Sequence, residues 1–173
     1  VEKKHNHLFL RIDDCEPIAH IEGLKDIDFA SYDVVAISDY NKGFLTEEDI
    51  NYIGRASKLT FLDTKKVLGG YCDSIDFIKI NHAEYMMSKG KISKEVYDKI
   101  IETLGSKGCR YREIVLPVRE TEVRDLSGAG DSFLAGLVVK YLETKGDLEE
   151  AMKFANECAT IVVGKAGVSL IND

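Results

Sequence analysis

The residues with the clearest chemical potential lie at positions 126–133, where the sequence reads LSGAGDSF. Gly128-Ala129-Gly130 would let successive backbone N–H groups converge on one point, because glycine adopts dihedral angles that other residues avoid. The apolar repeat from Phe133 onward predicts a helix, whose positive N-terminal end adds to those N–H groups. Together these features predict an anion hole suited to a phosphate oxygen that carries developing charge.

Asp131 lies at the same predicted helix start. The helix end favours its carboxylate form, which could accept the proton of a hydroxyl that attacks a bound phosphate. Phosphoryl transfer needs mainly positioning, charge neutralisation and a base, so this stretch offers the first two and a candidate for the third. Taken alone, the same stretch is equally well explained as a glycine turn followed by an N-capping aspartate.

Other glycine motifs are absent from the sequence. Gly164-Lys165 is followed by Ala166, so the hydroxyl of a P-loop G-x-x-x-x-G-K-[ST] is missing. Phe133 stands three residues after Gly130, so the dinucleotide fingerprint G-x-G-x-x-G is missing as well.

The elements that must position this stretch alternate between strands and helices. Short apolar runs predict strands at residues 8–12, 34–38, 59–62 and 77–80. Helical spacing predicts helices that begin near Thr46, cover residues 133–142 and run from Asp147 to Gly164. Residues 93–104 fit either a helix or a strand, and periodicity does not decide between them. The alternation predicts one α/β domain over residues 1–173, with a parallel sheet and helices on its faces.

Polar side chains recur where the predicted strands end. In sheets of this kind the ligand lies beyond the carboxyl ends of the strands. A single acid after a strand is usually a helix cap or a turn residue. Several strand ends in a row carry acids, amides and lysines, which indicates a shared site: Asp39, Tyr40 and Lys42, then Asp63 and Lys65, then Asn81 and Glu84.

Charge and composition narrow the class of protein. The 173 residues include 23 Lys and Arg against 30 Asp and Glu, a net charge of −7, which argues against a nucleic-acid partner or an anionic membrane surface. The four cysteines lack C-x-x-C or zinc spacing and are typical of thiols in a reducing compartment. No apolar run is long enough to span a bilayer and no secretory signal is visible, so we expect the cytoplasm.

With these residues in view, the sequence resembles the ribokinase-like (PfkB) carbohydrate kinases. Residues 125–133, DLSGAGDSF, resemble the family signature D-[TV]-[TS]-G-A-G-D-[TS]-F. Residues 103–108, TLGSKG, are similar to the T-L-G-x-x-G turn that lies against the nucleotide, which favours a strand at residues 99–103. NHAE at residues 81–84 matches the N-x-x-E motif, and residues 154–167 resemble the closing helix and turn beside the adenine.

The resemblance implies a three-layer α/β/α fold with a mostly parallel sheet, and an ATP-dependent sugar kinase that uses Mg²⁺. Carried over, Asp131 would be the catalytic base, and the N–H groups of Gly128, Ala129 and Gly130 would form the anion hole. Asn81 and Glu84 would help to order Mg²⁺ through water, since magnesium keeps much of its hydration. The remaining implied contacts are with ATP, from Thr103, Gly105, Gly108, Asn156 and Gly167, and with phosphates, from Lys42 and Lys65.

Within the family, the sequence is most similar to the kinase domains of the bifunctional heptose-7-phosphate kinase/adenylyltransferases. ISDYNKG at residues 37–43, LRID at 10–13 and DTK at 63–65 carry that likeness, which implies a heptose phosphate as acceptor in the synthesis of ADP-heptose, a lipopolysaccharide precursor. Two residues depart from the family pattern: Ile80 replaces a proline, and Glu102 interrupts an apolar strand.

The likeness covers only the C-terminal half, or a little more, of such a kinase, so we expect a domain truncated on its N-terminal side. The sugar-binding turns and most of the lid strands fall outside it. Two alternatives to a complete sugar kinase therefore stay open. One is a non-catalytic fragment that binds nucleotide. The other is a half-enzyme that is completed by another chain or by self-association through an exposed sheet edge.

Overall fold

The computed structural model describes residues 18–165 and residue 167. The strand predicted at residues 8–12 and the residue Cys15 lie outside that part. The described strands are β1 Val35–Asp39, β2 Thr60–Thr64, β3 Phe77–Asn81, β4 Ile100–Thr103, β5 Cys109–Tyr111 and β6 Ile114–Leu116. The α-helices are α1 Glu47–Ala56, α2 His82–Ser88, α3 Lys94–Tyr97, α4 Ala129–Glu143 and α5 Leu148–Val163. Short 3₁₀ turns occupy Leu24–Asp26, Phe29–Ser31, Gly70–Cys72 and Gly105–Lys107.

The six strands form one sheet in the order β1-β2-β3-β4-β5-β6. The first four are parallel, as the alternation of strands and helices predicts. β5 and β6 continue the sheet as an antiparallel extension after β4, which the sequence pattern did not reveal. The mostly parallel α/β architecture is therefore confirmed, and the carboxyl ends of β1 to β4 lie along one edge of the sheet.

The sheet is the middle of three layers because successive side chains of each strand point to opposite faces. On β2, Leu62 belongs to the core cluster that also holds residues of α1, α2 and α3. Its neighbour Phe61 belongs to the second cluster, with residues of α4 and α5. Burial of both faces explains why every residue of β2 is buried, including the polar residues Thr60, Asp63 and Thr64.

The helix starts follow local capping chemistry. Thr46 caps α1 by accepting a hydrogen bond from the Asp49 N–H at 3.1 Å, and the Asp49 carboxylate accepts from the Thr46 N–H at 2.7 Å. Asp147 caps α5 by accepting from the Glu150 N–H at 3.0 Å. Both helices therefore begin where the sequence predicts them. Residues 93–104 contain both candidate structures, since α3 comes first and β4 follows it.

The three described cysteines are buried free thiols, at Cys72, Cys109 and Cys158. Burial raises the pKa of each thiol, so none carries the thiolate character that a reactive cysteine needs. Across the described ranges, none of the helices combines the length and the hydrophobicity that a bilayer span requires.

Helices α4 and α5 pack closely at Gly136. A Cβ atom at that position would lie 2.8 Å from the Cys158 Sγ and 3.4 Å from the Ala155 Cα. We expect Gly136→Ala to lower the free energy of unfolding, because about 1–3 kcal/mol of overpacking exceeds the gain of about 1 kcal/mol in helix propensity. Urea unfolding measures the change. Cys158→Ala in the same chain should recover part of the loss, and an undiminished stability of Gly136→Ala alone would contradict this close approach.

Candidate active site

The end of β1 meets the start of α4 through one contact across 91 residues of sequence. The Tyr40 hydroxyl donates to the Asp131 carboxylate and lies 3.0 Å from each of its two oxygens. Burial, the hydrogen bond to Asp131 and the charge of that carboxylate raise the pKa of the Tyr40 phenol, so it stays protonated at neutral pH. Both side chains are exposed to solvent. The predicted base is therefore open to solvent at the carboxyl edge of the sheet.

The glycine turn before α4 leaves backbone donors without partners. Gly128 takes left-handed dihedrals, φ 78° and ψ −3°, and provides no side chain to cap the helix. The Ala129 N–H donates to the Leu126 carbonyl at 3.3 Å. In the part of the chain that the structure describes, the N–H groups of Gly128 and Gly130 make no hydrogen bond. Two of the three predicted anion-hole donors are thus available to a ligand, and one is shared with the turn.

A buried lysine lies directly beneath this turn. Lys79 of β3 is only 4% exposed, and its Nζ lies 2.5 Å from Asp63 Oδ2. The same Nζ would lie 2.9 Å from a Cβ atom at Gly130, so only glycine leaves room for it. Sequence reasoning did not assign Lys79 to the site. The available signal was a lysine inside the apolar strand FIKI, since a lysine is almost never fully buried without a partner.

Lys65 joins the end of β2 to the first turn of α2. Its Nζ lies 2.7 Å from Glu84 Oε1 and 3.5 Å from Asp63 Oδ1. Burial lowers the pKa of Lys65, but the hydrogen bond to Glu84 and the charges of Asp63 and Glu84 outweigh it, so the pKa is raised overall. Lys65 therefore remains a cation at neutral pH and lies in one ion-paired row with Lys79. Its direct contacts are with carboxylates.

The two residues predicted to order Mg²⁺ form the cap of α2. The Asn81 side chain accepts from the Glu84 N–H at 2.9 Å, and Glu84 Oε2 accepts from the Asn81 N–H at 2.8 Å. No group of three His, Cys, Asp or Glu side chains that could hold a metal occurs within residues 18–165 and 167. Because both Glu84 oxygens already accept hydrogen bonds, this donor set fits a Mg²⁺ ion that keeps its water and phosphate ligands.

Asp39 anchors the loop that carries Tyr40. Its buried carboxylate accepts from the Thr64 hydroxyl at 2.6 Å, from Lys66 Nζ at 2.9 Å and from the Asn41 N–H at 3.0 Å. Lys42, predicted to face a phosphate, is exposed on the following loop, and its side chain makes no hydrogen bond or ion pair within the described ranges. The structure thus brings Tyr40 into the site and does not bring Lys42 into the ion-paired row.

The predicted nucleotide turn follows β4. Leu104 N–H donates to the Gly108 carbonyl at 2.7 Å and closes the turn. Gly105 and Gly108 both have positive φ, 60° and 91°. A Cβ atom at Gly108 would lie 2.0 Å from the Leu116 carbonyl oxygen, whereas one at Gly105 would meet nothing within 4 Å. Gly108 is therefore required by space as well as by conformation, and Gly105 by conformation alone.

A cleft of about 440 Å³ lies between residues 117–119, which follow β6, and helix α5. Asn156 lines it and is fixed by a hydrogen bond from its Nδ2 to the Leu116 carbonyl at 3.1 Å. That carbonyl is the one against which Gly108 packs. The volume is in the range of small-ligand pockets. Of the predicted nucleotide residues, the structure brings Gly108 and Asn156 together. Thr103 ends β4, and Gly167 adopts a positive φ of 78°.

We expect Gly108→Ala to lower the free energy of unfolding by about 2–4 kcal/mol, because backbone strain and a clash with the Leu116 carbonyl add together. Gly105→Ala is the matched control, since it carries the left-handed strain of about 1–2 kcal/mol without the clash. Urea unfolding of both variants gives the comparison. Equal losses in the two variants would contradict the close approach at Leu116.

A known protein family matches most of the chain. The family described as pfkB family carbohydrate kinase matches residues 47–173. Bifunctional protein HldE of a Nitratiruptor species is 34% identical over 157 residues, which cover 80% of this chain and 34% of that protein. Bifunctional protein HldE of Helicobacter pylori is 34% identical over 161 residues, which cover 80% of this chain and 35% of that protein. The chain thus spans about a third of the length of these relatives.

Solved structures share the fold. Ribokinase from Thermotoga maritima superposes with a TM-score of 0.68 at 19% sequence identity, over 86% of this chain and 58% of that one. Ribokinase from Arabidopsis thaliana, in complex with ribose and ATP, superposes with a TM-score of 0.66 at 20% identity, over 88% of this chain and 56% of that one. These likenesses confirm the ribokinase-like α/β fold that the motifs predict.

Proposed function

Because the chain belongs to the pfkB family of carbohydrate kinases, we propose that it carries the nucleotide and catalytic part of an ATP-dependent kinase that phosphorylates an alcohol group of a sugar. One observation supports this most strongly. The solvent-open Asp131 carboxylate lies at the same helix start as the unpaired N–H groups of Gly128 and Gly130. A base beside an anion hole is what transfer of a phosphoryl group to a hydroxyl requires.

In this proposal the acceptor oxygen attacks the γ-phosphorus of ATP. The hydroxyl proton passes to the Asp131 carboxylate as the bond between oxygen and phosphorus forms. The bond from phosphorus to the β–γ bridging oxygen breaks, and ADP leaves with that oxygen. The N–H groups of Gly128 and Gly130 stabilise the developing charge on the transferred group, and the positive end of α4 adds to them. The Lys79 ammonium, packed under Gly130, adds a fixed positive charge.

Mg²⁺ would supply neutralisation of the phosphate charge when bound, and Asn81 and Glu84 would hold it through water. Thr103, Gly105, Gly108, Asn156 and Gly167 would line the nucleotide site. The cleft that Asn156 lines supports an adenine position there, since the Leu116 carbonyl that holds Asn156 also lies against Gly108. Lys65, within the ion-paired row, and Lys42, on the exposed loop, would face the phosphates of the nucleotide or the sugar.

The proposed acceptor is a heptose phosphate, within the synthesis of ADP-heptose. Support comes from ISDYNKG at residues 37–43 and from the matched relatives, which carry the name bifunctional protein HldE. Tyr40, which contacts Asp131, belongs to that same run of residues. The described residues would form one domain with the rest of the chain.

A second function is a nucleotide-binding part that needs further polypeptide for sugar binding. The sheet favours it, because β1 has a neighbouring strand on one side only among the described residues. Ala36 and Ser38 of this strand are exposed, unlike any residue of β2. A strand edge with one open face is a place where another segment can pair.

The test measures ADP formation by the 173-residue chain with ATP, Mg²⁺ and heptose 7-phosphate, and the heat of binding of a non-hydrolysable ATP analogue. Turnover that depends on the sugar supports the proposed sugar-kinase activity. Binding of the analogue without such turnover supports the second function. Absence of binding contradicts both.

A further inference from the structure

The Tyr40 hydroxyl occupies the place on Asp131 that an acceptor hydroxyl must reach. A general base accepts a proton from an oxygen about 2.6–3.2 Å away. The phenol oxygen lies 3.0 Å from both oxygens of the carboxylate, so it stands within that distance of each. Tyrosine O–H and sugar O–H are donors of the same kind. While the phenol is bound, the approach to the carboxylate on this side is taken.

The hydrogen bond between Tyr40 and Asp131 can break at little cost. The Tyr40 side chain is 53% exposed, and Asp131 is exposed too, so neither group depends on the other for burial. Replacing the phenol by another hydroxyl exchanges one hydrogen bond for a similar one, which costs little. The ring is held otherwise by the Lys65 ammonium, 6.0 Å from its centroid, which is a weak cation–π contact at an exposed site.

The backbone beneath Tyr40 is fixed on one side and irregular on the other. Asp39, directly before it, is buried and held by Thr64 and Lys66. After it, Asn41 and Gly43 take positive φ values of 55° and 95° in an exposed loop. The Tyr40 ring can therefore turn about its own side-chain torsions while the strand end stays in place.

We propose that Tyr40 is a self-occluding gate, whose phenol holds the acceptor position on Asp131 until an alcohol displaces it. The inference rests on the proposed function, because it takes Asp131 as the base. The gate would protect ATP from hydrolysis when no sugar is bound. Without a sugar, a water molecule must compete with the phenol before its oxygen can attack the γ-phosphorus and pass a proton to Asp131, with ADP as the leaving group. Tyr40 would thus suppress hydrolysis and favour transfer.

The experiment measures hydrolysis of Mg·ATP by the full chain without any sugar, so the acceptor site need not be complete. For a phenol-bound population of about 70–90%, Tyr40→Phe should raise the rate about three- to tenfold, because the base becomes available in all molecules. Tyr32→Phe is the matched control, since Tyr32 is an equally exposed tyrosine that precedes β1, at the opposite end of that strand. In Tyr40→Phe combined with Asp131→Asn the rise should vanish.

Other results of these measurements would overturn the gate. A Tyr40→Phe rate equal to or below that of the wild type, with Asp131→Asn lower still, overturns the gate and makes Tyr40 a residue that orients the base, while the proposed function stands. A rise that persists in the double variant overturns the gate as well. Calorimetry with the non-hydrolysable analogue AMP-PNP separates the remaining cases. Binding without hydrolysis in any variant overturns the gate alone, and absence of binding overturns the proposed function and the gate with it.

Discussion

Asp131→Asn should lower the rate of phosphoryl transfer from ATP by about 10²–10⁴-fold, the usual contribution of a positioned general base. The amide has nearly the same shape as the carboxylate but cannot take the proton of the attacking hydroxyl. Its oxygen can still accept a hydrogen bond from Tyr40. Because Asp131 is exposed at the start of α4, we expect the free energy of unfolding to change by no more than about 0.5 kcal/mol.

Initial rates of ADP formation with heptose 7-phosphate measure this effect, and calorimetry measures nucleotide affinity beside it. Glu48→Gln provides the control, since Glu48 is also an exposed carboxylate in the first turn of a helix, α1, and is far along the chain from the glycine turn. A variant that turns over as fast as the wild type would remove Asp131 from the role of base.

Lys79→Met should lower the free energy of unfolding by about 3–5 kcal/mol, because it leaves the buried Asp63 carboxylate without its closest partner. The methionine side chain can fill the space of the lysine stem but supplies no charge. The loss would be large against a total stability of about 5–15 kcal/mol, so this single change endangers the fold.

A second substitution separates stability from binding. Asp63→Asn in the Lys79→Met chain removes the orphaned charge and should restore much of the stability, as replacement of both partners of a buried pair often does. If the Lys79 charge serves the anion hole, the restored double variant should still bind ATP more weakly than the wild type in calorimetry. Wild-type affinity in a folded double variant would show that Lys79 acts on folding only.

The apolar pattern predicts β1, β2 and β3 because each of them overlaps a short apolar run, whereas periodicity alone does not decide β4. β2 and β3 lie within a residue or two of their predicted bounds. β5 and β6 escaped prediction because each has only three residues, and each forms by pairing: β5 with β4, and β6 with β5. Glu102 in β4 departed from an apolar pattern, and its reason is tertiary: the buried carboxylate pairs with Arg110 and lies 2.6 Å from His82 Nδ1.

In the candidate site, too, local features could be predicted from the sequence and long-range contacts could not. Motifs that are continuous in sequence predicted the glycine turn before α4 and the turn after β4, because local conformation and glycine spacing suffice for them. The contacts between Tyr40 and Asp131 and between Lys79 and Asp63 join distant residues, and nothing in the local pattern pairs them. The residues of such contacts can be suspected from their type, but only the folded sheet brings them together.

The carbonyl of Leu116 couples the proposed nucleotide turn to the cleft mechanically. One oxygen atom receives the Asn156 amide and lies against Gly108, so helix α5, the end of β6 and the turn after β4 share a single junction. A displacement of that junction would move the wall of the cleft and the turn after β4 together. A substitution that shifts the Leu116 carbonyl should therefore disturb the cleft and the turn after β4 at the same time.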